Sequence, residues 1–144
     1  MTSVPAAALA ALQECYAQLA VALQPFQRHC AARGNCCNFA ATGHRLYVTD
    51  LEAARMAAAG VEPERGQAER GLCPFLRGQL CGVREHRAIG CRIYFCDTTY
   101  EEERNALYET FLARVREIEA THSIPHRYRN VTAIDFSEFE RVTS

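Results

Sequence analysis

Seven cysteines crowd the middle of this 144-residue chain: Cys30, Cys36, Cys37, Cys73, Cys81, Cys91 and Cys96. An eighth, Cys15, stands apart. Thiolates are soft, strong donors for zinc, iron–sulfur clusters and copper(I). A set drawn from several segments also cross-links them, so a bound metal becomes part of the fold's stability. Spacing bears on the metal. Structural zinc sites are commonly built on C-x-x-C knuckles, and no C-x-x-C occurs here. The same absence removes the thioredoxin-like redox motif. Cubane iron–sulfur clusters also take four cysteines, but tolerate varied spacings and a ligand from a remote segment. Seven thiols exceed one four-ligand site, which leaves non-ligands, a second site or bridging thiolates open. Neighbouring side chains alternate in an extended chain, so of Cys36 and Cys37 one faces the metal and the other the core or a second metal.

His29 and His44 flank the first cysteine group and His86 lies between later ones. Histidine can complete a mixed site, but a hydrogen-bonded surface histidine is the plainer reading of each. Arg87 and Arg92 lie among the later cysteines. They are candidate cofactor-binding residues, donating hydrogen bonds toward thiolates or cluster sulfurs and so tuning potential; the bland alternative is a pair of solvated arginines. No Ser/His/Asp or Cys/His signature identifies a reaction.

The compartment decides between metal and disulfide. No basic residue precedes Arg28 and Glu14 interrupts the early apolar stretch, so no signal-peptide pattern is present. No run is read as reaching the ~20 apolar residues that span a bilayer. The expectation is a cytosolic protein, where thiols stay reduced and cysteine clusters bind metal. A disulfide-stapled binding protein, favoured only by the even cysteine count, is the weaker alternative. With 49% apolar and 23% charged residues the composition is that of a soluble globular chain, and the length suits one domain. A net charge of −1 argues against a broad footprint for nucleic acid or an anionic membrane. A protein or redox partner is expected, of unknown identity.

The elements that must position these cysteines follow from periodicity. Leu9, Leu12, Tyr16, Leu19, Leu23 and Phe26 form an apolar stripe, which predicts a long first helix within residues 4–33, entered through Ser3 and Pro5 and kinked at Pro25. Cys15 lies beside the stripe and reads as a buried core thiol. Thr49 and Glu52 form a capping box for a helix over 50–59. Residues 61–71, with Pro63, Gly66 and Gly71, read as a surface loop. Short apolar runs flank Arg77-Gly78, and a three-residue hairpin loop over 76–78 would set Cys73 opposite Cys81. Residues 91–96 read as a turn. A last helix, 99–121, starts at Thr98 or Thr99 and presents Leu107, Phe111, Val115 and Ile118. Thr132, Ile134 and Phe136 alternate like a strand, with a packed tail as the equal alternative.

The ordered cysteines resemble the YkgJ-type cysteine-cluster family, described as zinc- or iron-chelating. The family's first element is similar to C-x-x-C-x-x-C-C; here it reads Cys30-Ala-Ala-Arg33-Gly-Asn-Cys36-Cys37. Its second is similar to C-P-x-L followed by C-x-[IV]-Y-x-x-R-P-x-x-C-R-x-[YF]; here Cys73-Pro-Phe-Leu76 precedes a run from Cys81 to Cys96 that keeps Arg87, Cys91, Arg92 and Tyr94. Arg33 stands where the family has a cysteine, Arg84 replaces the tyrosine and Ala88 the proline. The resemblance covers residues 30–96 and implies metal chelation by the seven cysteines. The expectation is therefore one domain over 1–144, mainly α with a small β-hairpin, its helices packed around a cysteine-rich loop region that binds metal. The occupant expected is an iron–sulfur cluster of the four-iron cubane type, for electron transfer, sensing or cluster handling. Zinc in a structural module is the alternative, and metal trafficking a lesser one.

Overall fold

A computed structural model of the chain describes residues 3–26, 45–78, 80–93 and 100–139. The fold is mainly helical. Helix α1 spans Ala6–Leu23 and buries Ala8, Leu12, Cys15, Tyr16, Leu19 and Leu23. That is the predicted stripe, displaced slightly so that Cys15 falls inside it. The backbone of Pro5 closes the first turn by accepting from the Ala8 amide at 3.0 Å. Past Leu23 the helix tightens into a 3-10 turn, Gln24–Phe26, containing Pro25. The part of the expected helix beyond residue 26 lies outside the described residues.

One expectation needs correcting here. Ala6–Phe26 is 21 residues long and holds an 18-residue stretch of mean hydropathy 1.4, enough by length and composition to cross a bilayer. Core helices meet the same description, and the stripe through Leu12 and Leu19 packs inside the protein.

The partner of α1 is the long helix Glu101–Thr121, α5 in chain order. Phe111 and Val115 are its buried apolar residues, flanked by Leu107, Leu112 and Ile118. Each buried Leu, Phe or Val contributes about 1.5–3 kcal/mol. Three glutamates occupy its first turn, favourable at the positive end of a helix. Its N-cap is Tyr100, at φ 64°, with no side-chain capping bond. This corrects the threonine cap read from the sequence: the first turn depends on the tyrosine's left-handed backbone and on the glutamates.

Strand β1, Tyr47–Thr49, runs straight into helix α2, Asp50–Ala57. The capping box is present: Thr49 Oγ1 accepts from the Glu52 amide at 3.1 Å while Glu52 Oε1 accepts from the Thr49 amide at 3.3 Å. Helix α2 gives way to a turn that reaches Gly60, whose φ of 75° suits glycine. The segment read as a loop carries a short helix, α3, Arg65–Glu69.

Strands β2, Leu76–Arg77, and β3, Leu80–Cys81, form the expected hairpin in a different register. Leu76 faces Cys81 and Arg77 faces Leu80, so two residues make the loop, not three. Gly78 takes the first loop position with φ 62°, as two-residue hairpin turns require. Cys73 does not face Cys81. A 3-10 turn, Arg84–His86, leads to helix α4, Ile89–Ile93. Cys91 is thus on a helix, where a turn had been expected.

Of the two readings of the tail, the packed one holds and the strand over Thr132, Ile134 and Phe136 does not. The strand is β4, Tyr128–Asn130, antiparallel to β1 with Val48 opposite Arg129. Residues 131–133 and 136–138 are 3-10 turns, and Val131, Ile134, Phe136 and Phe139 are buried. Arg129 Nη2 donates to Asp50 Oδ1 at 2.7 Å and also to Glu138, and Arg127 lies 3.6 Å from Asp50 Oδ2. The buried Asp50 at the start of α2 is therefore clasped by β4.

Candidate functional site

Of the seven candidate ligands, the described residues place Cys73, Cys81 and Cys91; Cys30, Cys36, Cys37 and Cys96 lie outside them, as do His29 and His44. Cys73 is buried and opens the turn Cys73-Pro74-Phe75-Leu76. Its carbonyl accepts from the Leu76 amide at 3.0 Å and from Gln67 Nε2 at 2.9 Å. Pro74 at the second turn position presets the backbone angle. Such a turn brings Leu76 Cα within about 7 Å of Cys73 Cα, and Leu76 is the register partner of Cys81. The two cysteines therefore occupy one corner without opposing each other.

Glycines flank the other two. Gly82, after Cys81, donates its amide to Phe75 O at 2.8 Å. A Cβ there would stand 2.7 Å from that same oxygen. Gly90, before Cys91, packs so tightly that a Cβ would meet Leu46 Cδ1 at 2.8 Å. Both cysteines are half-buried, and each sits beside a close approach, against backbone at Gly82 and against a side-chain tip at Gly90.

A buried polar network underlies Cys91. Glu52 is 1% exposed, and both its oxygens accept twice. Oε1 takes the Thr49 amide and, at 3.4 Å, Thr49 Oγ1. Oε2 takes Tyr16 Oη at 3.0 Å and the Ile89 amide at 2.7 Å. One carboxylate thus ties α1, the start of α2 and the start of α4. Desolvation raises the Glu52 pKa above its ordinary value, and the bonds from Ile89, Thr49 and Tyr16 oppose the rise. Tyr16 is also pushed up, first by burial and then by the neighbouring Glu52 charge.

Arg92, next to Cys91, lays its guanidinium 4.2 Å from the Tyr16 ring centroid. It donates through Nε to Arg87 O at 2.7 Å and through Nη2 to Glu85 O at 2.9 Å. Arg87 donates through Nε to Arg84 O at 3.0 Å. The described bonds of both arginines therefore brace the turn that carries His86. Burial lowers the His86 pKa, and the charges of Arg55 and Arg92 lower it further.

Cys15 is apart from all of this, 5% exposed in α1, its thiol pushed up to about 11 chiefly by burial. Among the described residues, no group of three or more Cys, His, Asp or Glu side chains converges as a metal site. Any site for a cluster or zinc must draw on the cysteines outside the described set. Sequence patterns mark Glu52 as a helix cap and Tyr16 as a stripe residue, not as partners. The capping box signalled the carboxylate, but nothing local signals its reach to Ile89.

No protein-family model, curated protein or solved structure matches the chain.

Proposed function

We propose that the chain is a metal-binding protein of the YkgJ type, working in a reducing compartment, and that cysteine thiolates drawn from the seven between Cys30 and Cys96 hold an iron–sulfur cluster. One observation carries the reading. Cys73, Cys81 and Cys91 stand on a turn, a two-residue strand and a five-residue helix. Isolated two-stranded hairpins and single-turn helices are marginal by themselves. A segment of such short pieces, rich in thiols and braced by Glu52, is what a bound metal would staple. Cys15 follows the opposite logic, packed between long helices with no need of a ligand. A cluster would supply one-electron chemistry; the chain's own part is to hold thiolates in place and keep the Cys91 helix anchored.

The test is anaerobic purification of the full chain with iron, zinc and acid-labile sulfide measured per protein. Iron and sulfide in near-equal amounts are expected, and their loss in Cys73→Ser and Cys91→Ser, with retention in Cys15→Ser. Stoichiometric zinc without sulfide would replace the cluster reading by a structural zinc module, and no metal at all would overturn both.

A further inference from the structure

Several of the described arginines meet carboxylates. Arg77 pairs with Glu64, Arg127 with Asp50, and Arg129 with Asp50 and Glu138. Arg55, Arg87 and Arg92 meet no carboxylate among the described residues; they donate to backbone carbonyls. Arg55 Nη2 and Arg92 Nη2 reach the same oxygen, Glu85 O, at 3.5 and 2.9 Å, and the two guanidiniums lie 5.6 and 4.2 Å from the same Tyr16 ring. Two like charges are thus held side by side. Arg87 is tied to Arg92 through its own carbonyl, and His86 stands on the same turn. The buried acid that bonds Tyr16, Glu52, has both oxygens committed to other donors. Glu85 is the one acid between Cys81 and Cys96, and its carboxylate forms no ion pair with these arginines.

Like charges kept together, with no counter-ion among the described residues, repel, and an anion that bridges them relieves the repulsion. Guanidinium forks match oxyanions, because their N–H groups can donate in parallel. After the bonds to carbonyls, both Nη groups of Arg87, Nη1 of Arg92 and Nη1 of Arg55 keep donors to give. We propose that Arg55, Arg87 and Arg92, with His86 at the edge, form a binding site for a small multivalent oxyanion of the phosphate class. The site is compact, built around one 3-10 turn. The net charge of −1 offers no extended basic track for a polyanion, so a free oxyanion is the occupant. The inference stands on the arginines alone and holds with or without a metal on the cysteines.

The experiment titrates inorganic phosphate and pyrophosphate into the full chain at constant ionic strength held with sodium chloride, following arginine Nε–H resonances by NMR and binding by calorimetry. Saturable binding is expected, with the Arg87 and Arg92 resonances moving most. Arg55→Gln and Arg87→Gln should each weaken it about five- to tenfold, while Arg116→Gln on the exposed face of α5 should not. Variants are compared at equal urea midpoint, and wild-type resonance shifts decide the matter where a variant does not fold. A response no different from added chloride, or affinity unchanged in both Arg55→Gln and Arg87→Gln, overturns the site.

Discussion

The Ile89 amide donates to Glu52 Oε2 at 2.7 Å, across 37 residues of sequence. With it, the carboxylate that caps α2 also caps the helix bearing Cys91. Removing it leaves the amides of Thr49 and Ile89 and the Tyr16 phenol buried without their acceptor. Glu52→Ala should therefore cost about 3–5 kcal/mol. Tyr16→Phe removes one donor and keeps the ring under Arg92, so about 1 kcal/mol is expected. Urea denaturation of the two variants checks the order; equal costs would show that Glu52 does not carry the junction.

Gly82 and Gly90 make a second comparison. At Gly82 an added methyl meets the Phe75 carbonyl, which is fixed by the hairpin. At Gly90 it meets the tip of Leu46, a side chain free to change rotamer. Gly82→Ala should cost about 2–3 kcal/mol and Gly90→Ala about 1 kcal/mol or less. Thermal melts of the pair suffice, and a reversal of the order would contradict the account.

Burial raises the pKa of both Glu52 and Glu119 above 4.5, in Glu119 against an opposing hydrogen bond to His126 at 2.9 Å. The folded state then binds more protons than the unfolded state once pH exceeds 4.5. The stability from the protonated forms is complete below that pH and is lost as pH rises toward the raised values. Wild-type protein should fall relative to Glu119→Gln over that window in urea midpoints measured from pH 4 to 7. A constant difference across the range would refute the assignment.

Cys15 offers a reporter. With its thiol pushed up to about 11, roughly one molecule in a thousand carries the thiolate at pH 8. Alkylation of Cys15 should follow global unfolding, so its rate in native buffer should track the urea-derived stability of each variant above. Rapid labelling in the unperturbed protein would contradict its place in the α1 core.

The sequence made local features legible. The Thr49–Glu52 box, the Leu12–Leu19 stripe, the glycine at 60 and the core position of Cys15 all follow from patterns within a few residues. What it did not disclose depends on distant partners. Tyr100 adopts a left-handed backbone that no tyrosine would choose locally. The hairpin register turned on whether the loop holds two residues or three, and Gly78 suits either. Cys91 lies on a helix of five residues, too short for periodicity to mark, anchored at Ile89 by an acid 37 positions from that residue. Of the seven cysteines, the described residues place three, on a turn, a strand and a helix.

The pairing of Tyr47–Thr49 with Tyr128–Asn130 has a consequence for how the protein comes into being. A chain made from its N-terminus has α1 and α2 in hand early, but the second strand of this sheet and the arginines that clasp Asp50 are made late. Until then one edge of β1 and a buried acid lack their partners. Such long-range closure is slow to form, so nascent chains stay open longest at the seam between Val48 and Arg129, and that is where a chaperone or a protease would find them.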